Sequence, residues 1–160
     1  MSREVEPSKP FVRDAKIVDV IILAGNIRQC DRWEIWHMSR STPFDAFKTG
    51  YEVSDRPMVI EHKGQPIAMF GVSGVKESVG IPWMLGTDGI EKIKKSFLRE
   101  CKDYVEAMHS EYDVLTNYVW SKNIVHIGWL KWLGFQFGET KSLGPDNELF
   151  IHFQKVKHHV

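Results

Sequence analysis

One amphipathic stretch in the second half of the chain constrains the fold most. Ile90, Ile93, Phe97, Cys101, Tyr104 and Met108 recur at steps of three and four, while Glu91, Lys95, Arg99, Lys102 and Glu106 take the other faces. The spacing predicts a long helix with one apolar stripe, and Asp88 is placed to be its N-cap. Segments with strand character precede and follow it, so the helix lays its stripe on a sheet. The chain therefore reads as mixed α/β.

The flanking pieces can be read in the same way. Met58–His62 and residues 65–72 are period-two runs around Lys63-Gly64, a hairpin signal, and residues 82–86 form a short further strand. Before them come a short strand at Phe11-Val12 and three helices. The first, over 17–26, is stopped by Gly25-Asn26. The second, over 31–38, has Trp33, Ile35 and Trp36 on its apolar face. The third starts at Ser41-Thr42-Pro43 and reaches about residue 51. After the long helix, a strand over 114–120 leads to Asn123, which is expected to cap a short helix over 124–133. That helix is apolar nearly all round and expected to be buried, with Gly134 as its left-handed stop. Residues 135–137 and 149–154 close the fold as strands around a polar loop containing Gly144-Pro145-Asp146-Asn147. No repeat or linker divides the chain. Residues 1–10 are expected to be a flexible arm, 11–157 one domain and 158–160 a tail.

Charge excludes some partners. The 21 Lys and Arg balance 21 Asp and Glu among 160 residues, which removes the long-range attraction of a dedicated nucleic-acid binder or a polybasic membrane anchor. No sequence-specific nucleic-acid partner is expected. The longest apolar run, 18–24, is interrupted by Asp19, so no membrane span is expected, and the N-terminus lacks the apolar core of a secretory signal. Cys30 and Cys101 stand apart and read as small buried hydrophobes. The seven histidines are scattered without H-E-x-x-H spacing, so no metal site is expected.

A resemblance enters at Tyr112-Asp113-Val114-Leu115-Thr116-Asn117-Tyr118-Val119-Trp120, continued by Asn123, His126-Ile127, Leu130-Lys131 and Gly134. With the Trp83-to-Asp88 segment, these residues resemble the internal virion proteins of short-tailed phages, most closely over 81–137. The order of elements resembles the GNAT acyltransferase fold. That resemblance implies a GNAT-like mixed sheet flanked by helices, in which acyl-CoA would sit where the fourth and fifth strands splay apart.

The parts an acyltransferase needs can be checked residue by residue. Such enzymes carry a Q/R-x-x-G-x-G/A turn whose amides hold the CoA pyrophosphate at a helix N-terminus. The matching stretch here is Gly86-Thr87-Asp88-Gly89-Ile90-Glu91, with glycines at the wrong spacing and acids where phosphate should sit. Lys92, Lys94 and Lys95 could compensate, although a basic run on an exposed helix usually faces solvent. The tyrosine that protonates the departing thiolate is replaced by Leu130, which has no proton to give. If the chain were active, Met84, Leu85, Gly86, Thr87, Lys92 and Asn123 would contact the cofactor. His126 would be the candidate acid and Asn117 a second polar candidate. The bland reading of His126 is a hydrogen-bonded histidine in a crowded helix interface, and that of Asn117 a structural amide at the strand splay.

Three readings follow. The preferred one is a phage virion or assembly protein that uses the fold without acyl transfer and needs no cofactor. Trp33, Trp36, Trp129 and Trp132 are then available to a partner. The second is an acetyl-CoA-dependent N-acetyltransferase, and the third a module that binds a host protein. The expected location is the virion or the host cytoplasm.

Overall fold

The computed structural model describes residues 9–93 and 95–158. Most of the expected arm, residues 1–8, and the last two residues of the expected tail lie outside these, as does Lys94 of the basic run. Seven strands form one sheet in the order β1-β2-β3-β4-β5-β7-β6. They are β1 (Phe11–Asp14), β2 (Met58–His62), β3 (Gln65–Lys76), β4 (Val79–Gly86), β5 (Val114–Trp120), β6 (Gln136–Leu143) and β7 (Glu148–Val156). The helices are α1 (Ile17–Ala24), α2 (Gln29–Ser39), α3 (Pro43–Val53), α4 (Lys95–Met108) and α5 (Ile124–Trp132).

Alternation along the strands sorts side chains to two faces. Val59, Met69 and Leu85 meet Val20, Leu23 and Phe47 of α1 and α3 on one face. Ile60, Ala68 and Phe70 meet Phe97 and Cys101 of α4 on the other. Leu115, Val119 and Phe153 continue that second layer beneath Val105 and Leu130. Local chemistry sets the turns. Lys63 and Gly64 both adopt positive φ, at 52° and 76°, in the β2–β3 hairpin. Thr42 accepts a hydrogen bond from the Asp45 amide at the start of α3, and Gly134 ends α5 at φ 92°.

Gly144 must be glycine for reasons of contact as well as conformation. It has φ 74°, and a Cβ there would lie 1.8 Å from the His37 carbonyl oxygen. This close approach seats the β6–β7 loop on the end of α2, where Arg40 forks onto Asp146 at 2.7 and 2.5 Å.

Several expectations need correction. The long helix does not run from a cap at Asp88. Asp88–Lys92 is a 3₁₀ turn with Thr87 at its N-cap, the backbone leaves helical geometry at Ile93, and α4 begins at Lys95. Ile90 and Ile93 nevertheless pack in the α4 core, because the apolar stripe records which side is buried and not whether the helix is continuous. Asn123 occupies the N-cap position of α5 but makes no side-chain cap bond. Nor is α5 buried all round, since Ile124 is 70% exposed. Of the two cysteines, Cys101 is buried and Cys30 only half-buried. Strands β1, β3, β4, β6 and β7 are longer than expected, whereas β5 matches at both ends.

One ion pair ties β1 to α1. Asp19 is buried and takes a bidentate grip from Arg13 at 2.8 and 2.9 Å, with the Lys16 amide donating to the same carboxylate. Burial pushes the Asp19 carboxyl up, but the Arg13 and Lys16 hydrogen bonds outweigh it and hold it below the ordinary value of 3.8. Its stabilising contribution is therefore present above that value and lost as pH falls through the folded pKa. Asp19→Ala would leave Arg13 without its main partner and should lower the unfolding free energy by about 3 kcal/mol at neutral pH. Urea denaturation checks this, and the deficit should shrink toward acid pH.

Candidate functional site: a stitched cleft between two diverging strands

The parallel pair β4–β5 is short. Val79 lies beside Val114 and Gly80 beside Leu115, after which the strands diverge. Parallel strands that separate leave backbone N–H and C=O groups facing the gap, and these need partners. Side chains supply several. Asn117 Nδ2 crosses the gap and donates to the Pro82 carbonyl at 2.9 Å, while its Oδ1 accepts the Tyr118 amide at 2.8 Å. Asp31 Oδ2 accepts the Gly86 amide at 2.8 Å, and Glu34 Oε1 accepts the Trp120 amide at 2.6 Å. The Arg28 amide donates to the Gly86 carbonyl at 2.8 Å. α2 is thus sewn to the ends of both strands.

The acids of this seam belong to a buried network. Arg28, Asp31 and Asn123 are 5%, 3% and 0% exposed. Arg28 Nη1 donates to Asp31 Oδ1 at 2.8 Å and to Asn123 Oδ1 at 3.0 Å, and Nη2 reaches Glu91 at 3.2 Å. Asn123 Nδ2 donates to Asp31 Oδ1 at 2.9 Å and to Glu34 Oε2 at 3.3 Å. His126 Nδ1 lies 3.8 Å from Glu34 Oε2. Burial raises the Asp31 carboxyl above its ordinary value, and the nearby His126 and Arg28 only partly oppose that. Burial by itself would depress His126, but the Glu34 and Asp31 carboxylates outweigh it and raise the imidazole.

The expected cofactor contacts are placed unevenly around this seam. Met84 and Leu85 line the cleft together with His126 and Asn117. Gly86 and Thr87 lie at its end, but the Gly86 amide is taken by Asp31 and the Thr87 amide by the Ile67 carbonyl at 2.8 Å. Lys92 is exposed on the 3₁₀ turn, and Asn123 is wholly inside the network. Leu130, at the position of the missing tyrosine, is a buried core residue. Of the four tryptophans, Trp33 and Trp36 are exposed at 43% and 41%, Trp129 lines the cleft and Trp132 lies under Lys102.

Arg28 and Glu34 escaped the sequence reading, and Asp31 entered it only as a helix start. Their signal is a polar stripe at three-residue steps beside the tryptophans of α2. Asp31, Glu34 and His126 each bring one possible ligand atom within 4.8 Å of the others. Those carboxylate oxygens already accept N–H groups, so the trio is built as a hydrogen-bonded network. Cys101 also faces the cleft, with its thiol pushed up to about 12 by burial, which keeps it protonated and unreactive. The cleft holds about 400 Å³, the size of a small-ligand site.

This architecture is that of the GNAT acyltransferases. A ribosomal-protein-alanine N-acetyltransferase from Brucella melitensis superposes with a TM-score of 0.68 at 15% identity, covering 92% of this chain and 99% of that one. Ard1 from Thermoplasma volcanium gives 0.65 at 14%, with 95% and 100% covered. The Salmonella typhimurium protein yncA, assigned as an acetyltransferase and solved with its cofactor acetyl-CoA, gives 0.65 at 14%, with 96% and 97% covered. At such identities the likeness is one of fold.

Sequence places the chain more closely. The family described as "Bacteriophage T7, probable scaffold protein Gp13" matches residues 56–141, and the chain belongs to it. Within it, the probable scaffold protein gp13 of Escherichia phage T7 is 32% identical over 91 residues, 54% of this chain and 62% of that protein. The chain therefore spans less than two thirds of the length of that curated relative. The match contains the whole 81–137 stretch that carried the resemblance to short-tailed phage proteins and extends it on both sides.

The network makes a prediction about pH. His126 binds its proton more tightly in the folded state, so its contribution is fully present below the ordinary value of 6.5 and is lost as pH rises through the folded pKa. Unfolding free energy measured between about pH 5 and pH 9 should fall with pH in the native chain. In His126→Gln that fall should flatten, while the Asp31 contribution, which has the same sign, persists in both.

Proposed function

We propose that this chain is a phage assembly protein that uses a GNAT-like fold to hold a partner within the forming virion, without acyl transfer. The observation that carries this reading is the Asp31 carboxylate, clamped by Arg28 and Asn123 and seated on the Gly86 amide. A diphosphate approaching the β4 terminus would meet that anion and, beyond it, Glu91, where it needs free amides and positive charge. The 3₁₀ turn and the break at Ile93 also come between the strand end and α4, so the helix does not start directly at the strand as a phosphate-binding turn requires. The family membership and its description as a scaffold support the same reading. Partners would be other phage virion proteins, and the site of action the assembling particle inside the host cell. Among the described residues no helix is long and apolar enough to cross a membrane.

Acetyl transfer has one observation in its favour, the open cleft beside His126. Calorimetry with acetyl-CoA separates the two readings. The assembly reading expects no saturable heat up to about 1 mM ligand and no release of free CoA with an added amine. Micromolar binding with amine-dependent CoA release, reduced in His126→Ala, would establish the enzyme instead.

A further inference from the structure

The cleft passes through the sheet. On the α2–α3 face its walls are Ile35, Ala46 and Gly50, and on the α4–α5 face Tyr104, Trp129 and Leu133. An extended polypeptide sends successive side chains to opposite faces, so a strand laid between β4 and β5 would fill both halves. A single hydrocarbon chain has no comparable reason to divide between them.

The strand edge points the same way. Along β4, the Pro82 carbonyl and both backbone groups of Gly86 face the gap and are taken by Asn117, Asp31 and the Arg28 amide. The alternation puts the N–H and C=O of Met84, midway between them, on that side too, at a level where β5 has already diverged. A peptide has the backbone groups to pair with those of Met84. Charge selects further. Glu34 borders the cleft with Asp31 and Glu91 behind it, so three carboxylates stand against the Arg28 guanidinium and the His126 imidazole.

From these features we infer that the cleft receives an extended apolar segment of another virion protein, inserted between β4 and β5, with a Lys or Arg at the end beside Glu34. The inference rests on the assembly reading and adds the chemistry of the partner. Main-chain bonds to Met84 set the direction of the segment, and the two apolar half-cavities supply the affinity and the selection.

The test uses overlapping synthetic peptides covering the structural proteins of the phage that encodes this chain, with binding to the full chain followed by fluorescence anisotropy. A peptide of alternating apolar residues with a basic end should bind. Its affinity should fall by about tenfold or more in Thr49→Trp, an exposed α3 position on the cleft wall, and stay unchanged in the distant control Val75→Thr. Ala46→Phe, which fills the cleft from inside, should act like Thr49→Trp, and a melting curve confirms that each variant folds. Reversing the peptide's basic residue to Glu should also weaken binding.

The inference is overturned if no peptide binds, if binding ignores both cleft variants, or if dodecanoate occupies the cleft and no peptide does. Immunoblotting of particles purified from infected cells keeps the two levels apart. Absence of the chain from precursor and mature particles would reject the assembly reading itself. Incorporation of native chain and Thr49→Trp alike, without peptide binding, would reject only the peptide in the cleft.

Discussion

The Asp31 carboxylate, almost wholly removed from water, is the point on which the candidate site depends. A buried charge is tolerated only when it is paired and hydrogen-bonded, and Asp31 obtains this from three separate parts of the chain. Arg28 comes from its own helix, the Gly86 amide from the end of β4, and Asn123 from the start of α5. Meeting that requirement fixes α2 across the mouth of the strand splay. Glu34, one turn further along α2, is then brought to the Trp120 amide and to His126. The family match begins at residue 56, so the strand and α5 side of the network lies within it while Arg28, Asp31 and Glu34 do not.

How much of this could be read in advance depends on distance along the chain. Periodicity is a local property, and it located all seven strands and all five helices, with β5 correct at both ends. The hairpin at Lys63-Gly64 and the stop at Gly134 followed from residues that adopt positive φ at tight turns. The start of the long helix was misread for a physical reason. Ile90 and Ile93 are buried in the same core as Phe97, so the stripe runs unbroken through a backbone that is not one helix. The site was less legible still. Arg28 and Asn123 are 95 positions apart, and a motif reading names Asn123 as a cap or a cofactor contact and not as the partner of Arg28. Asn117 came closest, since the alternative of a structural amide at the splay is the one its two hydrogen bonds support.

Two diverging parallel strands pose the same difficulty in any GNAT-like sheet, because backbone groups in the gap need partners. Either a ligand provides them or the protein does. Here Asn117, Asp31 and Glu34 provide them for Pro82, Tyr118, Gly86 and Trp120, which stabilises the splay from within the chain. The same substitution takes amide donors away from a diphosphate and puts acids near them. On the proposed reading, the altered glycine turn, Leu130 in place of a tyrosine and the Arg28 network belong together, because each makes the splay a piece of structure.

The splay is not closed throughout. The side chains close the backbone account at the rim, yet the middle of the splay stays open and lined by apolar groups on both faces. In the proposed assembly role such a feature is a place to hold a partner. Wetted apolar surface held open by a rigid polar frame loses little conformational freedom when something fills it, so burial there converts efficiently into affinity. The frame also explains why charge neutrality of the whole chain says little about recognition. The balance of 21 against 21 is a sum, whereas Glu34 borders the cleft with Asp31 and Glu91 behind it, three carboxylates against one guanidinium and one imidazole. A neutral protein can thus carry a local excess of acid beside its cleft.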